Sequence, residues 1–335
     1  MNPSMINTGA YFLGDGKIEF RDSPMPALPE EWVRLRVEVC ALCGSDKRLL
    51  ASGASVIPGH EIVGKVVDPG NTDAEVGTRA AIYIPVACQA CEACLDGRQN
   101  SCYRLESLVG WQLDGGFATY VDTPKTTLLP VPNDIPPEVA VLALDTFGTA
   151  AHALRMGLRT QQSIDSLLVV GCGPLGLGLI TVAQAMGIAN ISVTDPDSRR
   201  RGLALELGAA QATDLETVNQ YQVIAEVSGS DSGRALAQNL VKPGGAILAI
   251  GESNTPYEMP ATPRWRRTDC FTIRTFYFPT TDAPLNWDLL RLTGQHLRDL
   301  IMEPTDFKDL VNTFERFVDG ELVKPFVSFK ERDQI

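Results

Sequence analysis

The segment between residues 166 and 250 constrains the fold most strongly, because short apolar runs alternate there with helical patterns. The strand-type runs lie at 166–170, 190–194, 223–227 and 246–250. The helical patterns lie at 175–186, 198–207 and 235–240. Repeated strand-helix-strand units of this kind pack as a parallel sheet with helices on both faces. The sequence therefore predicts an α/β fold with a Rossmann-type, doubly wound parallel sheet.

A glycine-rich turn joins the first of these strands to the first helix. Gly171, Gly173 and Gly176 form a G-x-G-x-x-G motif in the strand-turn-helix context that dinucleotide binding requires. The first glycine permits the tight turn, the second admits a pyrophosphate close to the backbone, and the third lets the helix pack on the strand. A plain glycine-rich turn is the alternative to a dinucleotide site.

Asp195 ends the next predicted strand. An acidic side chain at this point accepts hydrogen bonds from the ribose hydroxyls of NAD and repels the 2′-phosphate of NADP. NAD is therefore the preferred cofactor. Arg199 and Arg200 follow closely enough to keep NADP as a second option, which makes Arg200 a candidate cofactor-binding residue. The alternative role of Asp195 is a helix N-cap before Pro196.

The rest of the chain requires a second domain, because 335 residues exceed what one hydrophobic core usually fills. Residues 32–40 alternate apolar and polar side chains, which predicts a half-buried strand. Gly, Pro, Asn and Asp separate further short strands, so the first ~145 residues are expected to form a mainly β, barrel-like domain. These strands are predicted at 61–67, 79–85 and 117–122, helical pieces at 138–144 and 149–156, later helices at 287–292 and 306–318, and a last strand at 325–329.

Four cysteines form the strongest local signal for a metal. Cys88, Cys91, Cys94 and Cys102 have the spacing C-x2-C-x2-C-x7-C. Four thiolates that close on one centre match a structural, tetrahedral Zn2+ site. An iron–sulfur cluster is the alternative, although the spacing departs from the C-x2-C-x2-C-x3-C-P form.

Composition excludes several classes of partner. The net charge of −12 and the isoelectric point of 4.8 argue against nucleic acid, because phosphate binding needs a basic face. The sequence has no run of about 18 apolar residues, and residues 1–14 lack a basic segment followed by an apolar stretch. We therefore expect a cytoplasmic protein with no membrane partner, in which clustered cysteines indicate metal binding rather than disulfides.

Two separate motifs carry further ligand-type side chains. Cys43 opens a Cys-Gly-Ser-Asp motif, and His60 precedes Glu61 in a Pro-Gly-His-Glu motif. Taken alone, Cys43 is as well explained as a buried small residue, and His60 as a histidine in a turn.

The order of all these motifs, with Asp-Gly-Gly-Phe-Ala at 114–118, resembles the zinc-containing medium-chain dehydrogenase/reductase superfamily of the alcohol and polyol dehydrogenase type. The resemblance covers nearly the whole chain. It implies a GroES-like catalytic domain formed by residues 1–147 and 285–335, around a Rossmann domain of residues 148–284. A simple two-piece chain without the returning tail is the alternative.

The resemblance also implies roles for single residues. Cys43 and His60 would bind a catalytic zinc, and Ser45 would place its hydroxyl beside the substrate oxygen and pass on the proton. Thr149 and Leu175 would flank the nicotinamide.

Two basic residues have expected roles in the same scheme. Lys324, before the last strand, matches a basic residue that faces the pyrophosphate. Arg48 stands where liver-type members carry a histidine, five residues after the ligand cysteine. It is therefore a candidate for the outer end of the proton relay, which otherwise runs through ribose and water.

The third ligand position departs from the alcohol type. Asp145 stands where alcohol-type members have a cysteine and polyol-type members a glutamate, so the site is polyol-like. In polyol-type members the glutamate after the histidine can itself bind zinc. Whether Glu61, Asp145 or a bridging water completes the coordination sphere stays open, and a helix N-cap is the alternative role of Asp145.

Together these features predict a zinc-dependent oxidoreductase that transfers a hydride between NAD(H) and an alcohol, polyol or sugar-like substrate, or the corresponding carbonyl. Zinc would act as a Lewis acid toward the substrate hydroxyl. A zinc-free enone or quinone reductase, and a non-enzymatic nucleotide-binding protein on the same fold, are the alternatives. The resemblance also implies a homodimer or homotetramer.

Overall fold

The computed structural model of the protein describes residues 5–212 and 215–329, which belong to two compact units. The first unit runs to Leu144, includes Pro279–Leu290 and resumes at Ile301, and the second comprises Asp145–Phe278 and Arg291–Leu300. The domain boundaries expected from the sequence, after residues 147 and 284, stay a prediction. One continuous helix begins at Asp145 and belongs to the second unit.

Strands and short helices alternate along most of the chain. The strands are β1 (Ile6–Gly14), β2 (Lys17–Pro24), β3 (Trp32–Ala41), β4 (Glu61–Asp68), β5 (Arg79–Ile82), β6 (Pro85–Val86), β7 (Ser107–Leu108), β8 (Tyr120–Pro124), β9 (Leu128–Pro130), β10 (Leu167–Val170), β11 (Ile191–Thr194), β12 (Ala210–Gln211), β13 (Tyr221–Glu226), β14 (Val241–Ala249), β15 (Phe271–Arg274), β16 (Met302–Asp306) and β17 (Lys324–Ser328). The helices are α1 (Asp46–Ser52), α2 (Glu92–Leu95), α3 (Pro137–Ala140), α4 (Asp145–Leu158), α5 (Pro174–Ala185), α6 (Ser198–Glu206), α7 (Asp231–Leu240), α8 (Pro263–Arg266), α9 (Ala283–Ile301) and α10 (Leu310–Val318). Short 3-10 helices lie at Gln99–Ser101, Lys125–Thr127, Val141–Ala143, Thr280–Asp282 and Phe307–Asp309.

The second unit contains a parallel sheet in the order β12-β11-β10-β13-β14-β15. Its central strand β10 is Leu-Leu-Val-Val and is buried throughout, as expected when helices cover both faces of a sheet. The direction of strand succession reverses between β10 and β13, which is the switch point where doubly wound sheets bind ligands. The predicted Rossmann-type fold is confirmed.

The first unit is mainly β, as the sequence predicts. Its larger sheet has the order β16-β17-β3-β4-β5-β9, with β8 also paired to β3, and every pair except β16 with β17 is antiparallel. Val33, Leu35 and Val37 of β3 point into a core that also holds stacked or edge-on aromatic rings, among them Phe12 and Phe117. This is the expected GroES-like domain.

Two predicted helices have different limits in the structure. The helix predicted at 287–292 is part of the 19-residue α9, because Leu297 and Ile301 continue the buried face beyond the predicted end. The helix predicted from residue 306 begins only at Leu310, because residue 306 still pairs with β17 as the end of β16. The hairpin of β1 and β2 had no counterpart among the predicted strands. None of the helices in residues 5–212 and 215–329 has the length and apolar character needed to cross a membrane.

Candidate metal centres and nucleotide site

The four cysteines of the predicted structural site lie together in a lobe around α2, which we call the cysteine lobe (residues 87–102). The Sγ atoms are 3.4 Å apart for Cys91 and Cys94, 3.5 Å for Cys88 and Cys102, 3.9 Å for Cys91 and Cys102, and 4.0 Å for Cys88 and Cys94. Zn–S bonds of about 2.3 Å give a tetrahedron with edges of about 3.8 Å, whereas a disulfide requires about 2.05 Å. The donor set therefore fits one zinc ion and leaves no coordination position for a substrate.

The backbone around this lobe already favours thiolates at two positions. The backbone amide of Ala90 lowers the pKa of Cys88 to about 6, and the backbone amide of Tyr103 lowers the pKa of Cys91. Burial raises the pKa of Cys94 to about 12. A bound metal stabilises the thiolate form of all its cysteine ligands, so zinc binding displaces the remaining protons.

The second predicted metal site is also assembled. The ligand-type atoms of Cys43, His60, Glu61 and Asp145 all lie within 4.8 Å of one another. We call this group the mixed cluster. Cys43 lies just before α1, His60 and Glu61 lie at the start of β4, and Asp145 is the first residue of α4. One thiolate, one imidazole and two carboxylates are ligands that Zn2+ accepts, so these residues fit a zinc ion.

Asp46, which the sequence analysis did not assign a role, orients two ligands of the mixed cluster. Its Oδ2 accepts a hydrogen bond of 2.8 Å from the backbone N–H of Cys43, and its Oδ1 lies 3.3 Å from Nδ1 of His60. A carboxylate at this distance is placed to orient the imidazole ring through Nδ1, which leaves Nε2 for a metal. The fourth position of the Cys-Gly-Ser-Asp motif was the available sequence signal for this role.

Lys324 lies at the mixed cluster. Its side chain is buried, and its Nζ donates a hydrogen bond to Oε1 of Glu61, which is also fully buried. The ion pair neutralises part of the negative charge that Glu61 and Asp145 bring to one place. This pair was not predicted from the sequence, and the expected contact of Lys324 with a pyrophosphate stays a prediction.

Three further candidate residues lie near the starts of helices. Ser45 is half-buried and directly precedes α1, yet its side chain does not cap that helix. Thr149 lies one turn after Asp145 on α4, is buried, and its Oγ1 has no hydrogen-bond partner within residues 5–212 and 215–329. Leu175 is the second residue of α5 and is half-buried. Their contacts with substrate and nicotinamide stay predictions.

Arg48 and Trp111 form a pair beside the mixed cluster. The Cζ atom of Arg48 lies 5.4 Å from the centroid of the Trp111 ring, and that ring lies 6.0 Å from the ring of His60. A Cβ atom on Gly110 would lie 2.7 Å from the carbonyl oxygen of Gly59, so the loop that carries Trp111 packs directly against the strand start that carries His60. An exposed cation thus lies over an aromatic ring next to a proposed metal ligand.

The glycine-rich turn leads from β10 into α5, as predicted. Gly171 has a φ of +105°, and a Cβ on Gly176 would lie 2.0 Å from the carbonyl oxygen of Gly171. Side chains are therefore excluded at both positions. Gly173 directly precedes α5 and Pro174 is its first residue, so the amides of the helix start face the turn, where a phosphate can bind.

Asp195 stabilises this turn from the end of β11. Its Oδ2 accepts a hydrogen bond of 2.7 Å from the backbone N–H of Cys172, and its Oδ1 accepts one of 2.8 Å from the backbone N–H of Asp197. The alternative role of Asp195 as a helix cap is wrong, because Asp197 caps α6 by accepting from the backbone N–H groups of Arg199 and Arg200. Contact of Arg200 with a cofactor stays a prediction.

Comparison with known families decides the relationship. The alcohol dehydrogenase GroES-like domain family matches residues 29–133, and the zinc-binding dehydrogenase family matches residues 174–283. The chain belongs to the zinc-containing medium-chain dehydrogenase/reductase superfamily. This dehydrogenase is thus an oxidoreductase that uses zinc and a nicotinamide dinucleotide.

Individual dehydrogenases are similar to this chain in sequence or in structure. The dehydrogenase is 28% identical over 331 residues to L-galactonate-5-dehydrogenase of Escherichia coli (strain K12), which covers 92% of this chain and 94% of that protein. It is 30% identical over 230 residues to L-threonine 3-dehydrogenase of Xanthomonas campestris pv. campestris (strain B100), covering 64% of this chain and 66% of that protein. The solved structure of alcohol dehydrogenase TADH from Thermus sp. ATN1 has the same fold, with a TM-score of 0.89 and 24% identity over 96% of this chain and 100% of that one.

Proposed function

We propose that this dehydrogenase oxidises a secondary hydroxyl of a polyol or sugar-derived substrate with NAD+ as the hydride acceptor. The observation that carries the proposal is the mixed cluster, in which Asp145 joins Cys43, His60 and Glu61 within 4.8 Å. The carboxylate at this position is the polyol-like feature of the sequence. The similarity to L-galactonate-5-dehydrogenase over nearly the whole chain supports a sugar-derived substrate.

The two centres have separate roles in this proposal. The cysteine lobe holds a structural zinc, since its four thiolates fill the coordination sphere. The mixed cluster holds the catalytic zinc through Cys43 and His60, with Glu61 and Asp145 as the oxygen ligands available to it. When bound, zinc supplies Lewis acidity toward the substrate hydroxyl, and NAD+ accepts the hydride.

The residues of the chain position the substrate and move the proton. Asp46 holds the imidazole of His60 in one orientation, and Lys324 reduces the negative charge of Glu61. The hydroxyl of Ser45, which does not cap α1, accepts the proton that leaves the substrate and passes it outward. Thr149 and Leu175 flank the nicotinamide, and the buried hydroxyl of Thr149 supports such a contact.

NAD is the preferred cofactor because the carboxylate of Asp195 stands at the end of β11, beside the glycine-rich turn. The nearby arginines 199–201 would instead attract the 2′-phosphate of NADP. The ratio of kcat/KM for NAD+ to kcat/KM for NADP+ shows whether Asp195 or the arginines have the larger effect. We expect this ratio to exceed one.

The active form is proposed to be a homodimer or homotetramer in the cytoplasm. The end strand β15 supports self-association, because Phe271 is half-exposed at the open edge of the parallel sheet. The cytoplasm is supported by the lobe of four closely spaced thiols, which a reducing compartment keeps available for metal.

The test of the proposed function is a change at Asp145. The zinc-replete enzyme is assayed for NADH formation with a panel of alcohols, polyols and sugar acids, and zinc per chain is measured. Asp145→Asn should lower the zinc content toward one per chain and lower kcat by about 10- to 100-fold, because a metal ligand or its water partner is lost. Asp145→Cys, which supplies a thiolate at the same position, should retain two zinc ions.

Two outcomes would contradict the proposal. Wild-type enzyme that reduces enones or quinones with NADPH, but forms no NADH from any hydroxyl compound, would favour a reductase. An Asp145→Asn variant with two zinc ions, unchanged kcat and only reduced thermal stability would assign Asp145 to helix stability instead.

A further inference from the structure

Arg48 places an exposed cation beside the mixed cluster, where the Trp111 ring neighbours both its guanidinium and the ring of His60. Hydride transfer from an alcohol does not itself need such a cation. We propose that Arg48, stacked on Trp111, binds the carboxylate of the substrate, so that the preferred substrates are sugar acids rather than neutral polyols. The proposal rests on the dehydrogenase function argued above and names the substrate class of the same site.

The backbone is hydrogen-bonded at both Arg48 and Trp111. The backbone N–H of Arg48 donates a hydrogen bond of 3.1 Å to the carbonyl oxygen of Ser45, within the turn that follows the metal ligand Cys43. The backbone N–H of Trp111 donates a hydrogen bond of 3.1 Å to the carbonyl oxygen of Leu108. The adjoining Gly110 packs so closely that a Cβ there would lie 3.0 Å from Cβ of His60. The backbone that carries the cation and the ring is therefore held close to the proposed metal ligands.

The stacking suits carboxylate recognition. A guanidinium that lies over an aromatic ring has one face covered, while its N–H donors lie in the plane of the group and point sideways. Two parallel N–H donors match the two oxygens of a carboxylate, and such charge-assisted pairs are about twice as strong as neutral hydrogen bonds. A lysine at this position would bring charge without the paired donors.

The electrostatics of the site favour such a cation for an anionic substrate. The chain has a net charge of −12, and Asp46, Glu61 and Asp145 bring three carboxylates to the mixed cluster and its surroundings. A zinc ion and the ammonium of Lys324 would offset charge within the cluster, and a cation at the rim adds an attraction for an anion that approaches from solvent. The ammonium of Lys324 is buried against Glu61, whereas the side chain of Arg48 is exposed and can attract a carboxylate from solvent.

The neighbouring Lys47 is directed elsewhere. Its Nζ donates a hydrogen bond of 2.8 Å to the carbonyl oxygen of Phe317 and lies 4.4 Å from the centroid of that ring. The two adjacent cations of α1 therefore differ in their surroundings, and only the one stacked on Trp111 neighbours the ring of a metal ligand.

The arrangement also suits sugar acids. Trp111 neighbours both the ring of His60, at 6.0 Å, and the guanidinium of Arg48, at 5.4 Å. A substrate that reaches both the metal ligands and Arg48 therefore lies beside the indole ring. A sugar acid carries its carboxylate and its secondary hydroxyls on one carbon chain, so it can offer one group to each.

The test compares substrates that differ only in the carboxylate. Galactonate is paired with galactitol, and gluconate with glucitol, using zinc-replete enzyme and saturating NAD+. The wild-type kcat/KM should be at least about 10-fold higher for each acid than for its polyol. Arg48→Leu should lower kcat/KM for the acids by about 100-fold and change that for the polyols by less than about 3-fold. Arg48→Lys should lose about 10-fold for the acids, because it keeps the charge without the paired donors.

Lys47→Gln is the matched control, because it removes one positive charge from the neighbouring residue of α1 and should leave the preference for acids unchanged. A binding measurement with the reduced cofactor is independent of turnover, because NADH cannot accept a hydride. Galactonate should raise the thermal midpoint of the wild-type enzyme loaded with zinc and NADH, and should not raise that of Arg48→Leu. Trp111→Leu should weaken galactonate binding, and Trp111→Phe should restore much of it, because a ring face is retained.

Three results would overturn the proposal. Equal loss of kcat/KM for acids and polyols in Arg48→Leu, with a changed pH profile, would place Arg48 in proton transfer. A raised KM for NAD+ in Arg48→Leu would place Arg48 at the nucleotide site. Oxidation of polyols in preference to acids by the wild-type enzyme would remove the proposed substrate class while leaving the dehydrogenase function intact, whereas absence of NADH formation from every substrate would contradict the dehydrogenase function itself.

Discussion

At the scale of single residues, one buried carboxylate lies between the backbone of one proposed metal ligand and the ring of another. Asp46 accepts from the backbone N–H of Cys43 and faces Nδ1 of His60. Asp46 is the first residue of α1, three residues after Cys43. The ligand geometry at Cys43 and His60 therefore depends on a side chain outside the proposed ligand set.

We predict that Asp46→Asn weakens the catalytic metal site selectively. An asparagine amide donates a hydrogen bond to Nδ1 of His60 and so favours the tautomer that carries its proton on Nε2, which cannot bind zinc. Metal analysis should show a fall from two zinc ions toward one per chain, with kcat lowered by about 10- to 100-fold. Asp22→Asn, at an exposed carboxylate of β2, is the control and should retain both ions. Two zinc ions with normal kcat in Asp46→Asn would show that this orientation is unimportant.

The grouping of the candidate ligands could be predicted, whereas their supporting contacts could not. The spacing of the four lobe cysteines reflects metal chemistry, and the resemblance to the family pointed to Cys43 and His60. The ion pair of Lys324 with Glu61 joins residues 263 positions apart, and the stacking of Arg48 on Trp111 likewise depends on how separate loops pack. Such contacts are properties of the folded chain, which local patterns do not specify.

At the scale of secondary-structure elements, buried central strands were predictable and edge elements were not. Strand β10 is a continuous apolar run because both of its faces are covered. The short end strand β12 is Ala-Gln and exposed, and the end strand β15 is mostly exposed, so neither has a distinctive pattern. Their strand conformation depends on pairing with β11 and β14.

The cysteine lobe is an element whose stability should depend on its metal. Its buried residues are few, namely Ala87, Cys91, Ala93 and Cys94. A core of this size cannot hold a loop segment in one conformation without cross-links. We predict that Cys91→Ser loses the structural zinc and lowers the apparent Tm by roughly 5–10 °C, since 1 kcal/mol corresponds to about 2–4 °C in chains of 150–250 residues.

The measurements for this variant are zinc per chain, thermal unfolding and kcat below the new midpoint. Cys270→Ser is the matched control, because Cys270 is a half-buried cysteine outside both clusters. The catalytic zinc and most of the activity should persist in Cys91→Ser at low temperature. An unchanged zinc content in Cys91→Ser would refute the assignment of a structural zinc to this lobe.

At the scale of the whole molecule, the edge of the parallel sheet at β15 is a candidate association surface. Strand β15 pairs with β14 on one side and forms the end of the sheet. Phe271 at the start of β15 is 48% exposed, so an apolar side chain lies beside the backbone groups of the edge. Edges of this kind are covered by another strand, by charge or by a second chain. We therefore propose association through this edge.

We predict that the protein forms a dimer through β15 and that Phe271→Glu shifts it toward the monomer. The glutamate places a charge where an apolar contact and an added strand would be buried, which opposes association at the edge. Leu205→Glu, at a similarly exposed apolar residue on α6 of the same unit, changes the charge equally and should leave the dimer intact. Light scattering coupled to size-exclusion chromatography gives the molar mass of each variant over a range of concentrations. If wild-type protein is monomeric at micromolar concentration, or if Phe271→Glu and Leu205→Glu have the same molar mass as the wild type, β15 is not the association surface, and the apolar edge must be protected within the single chain.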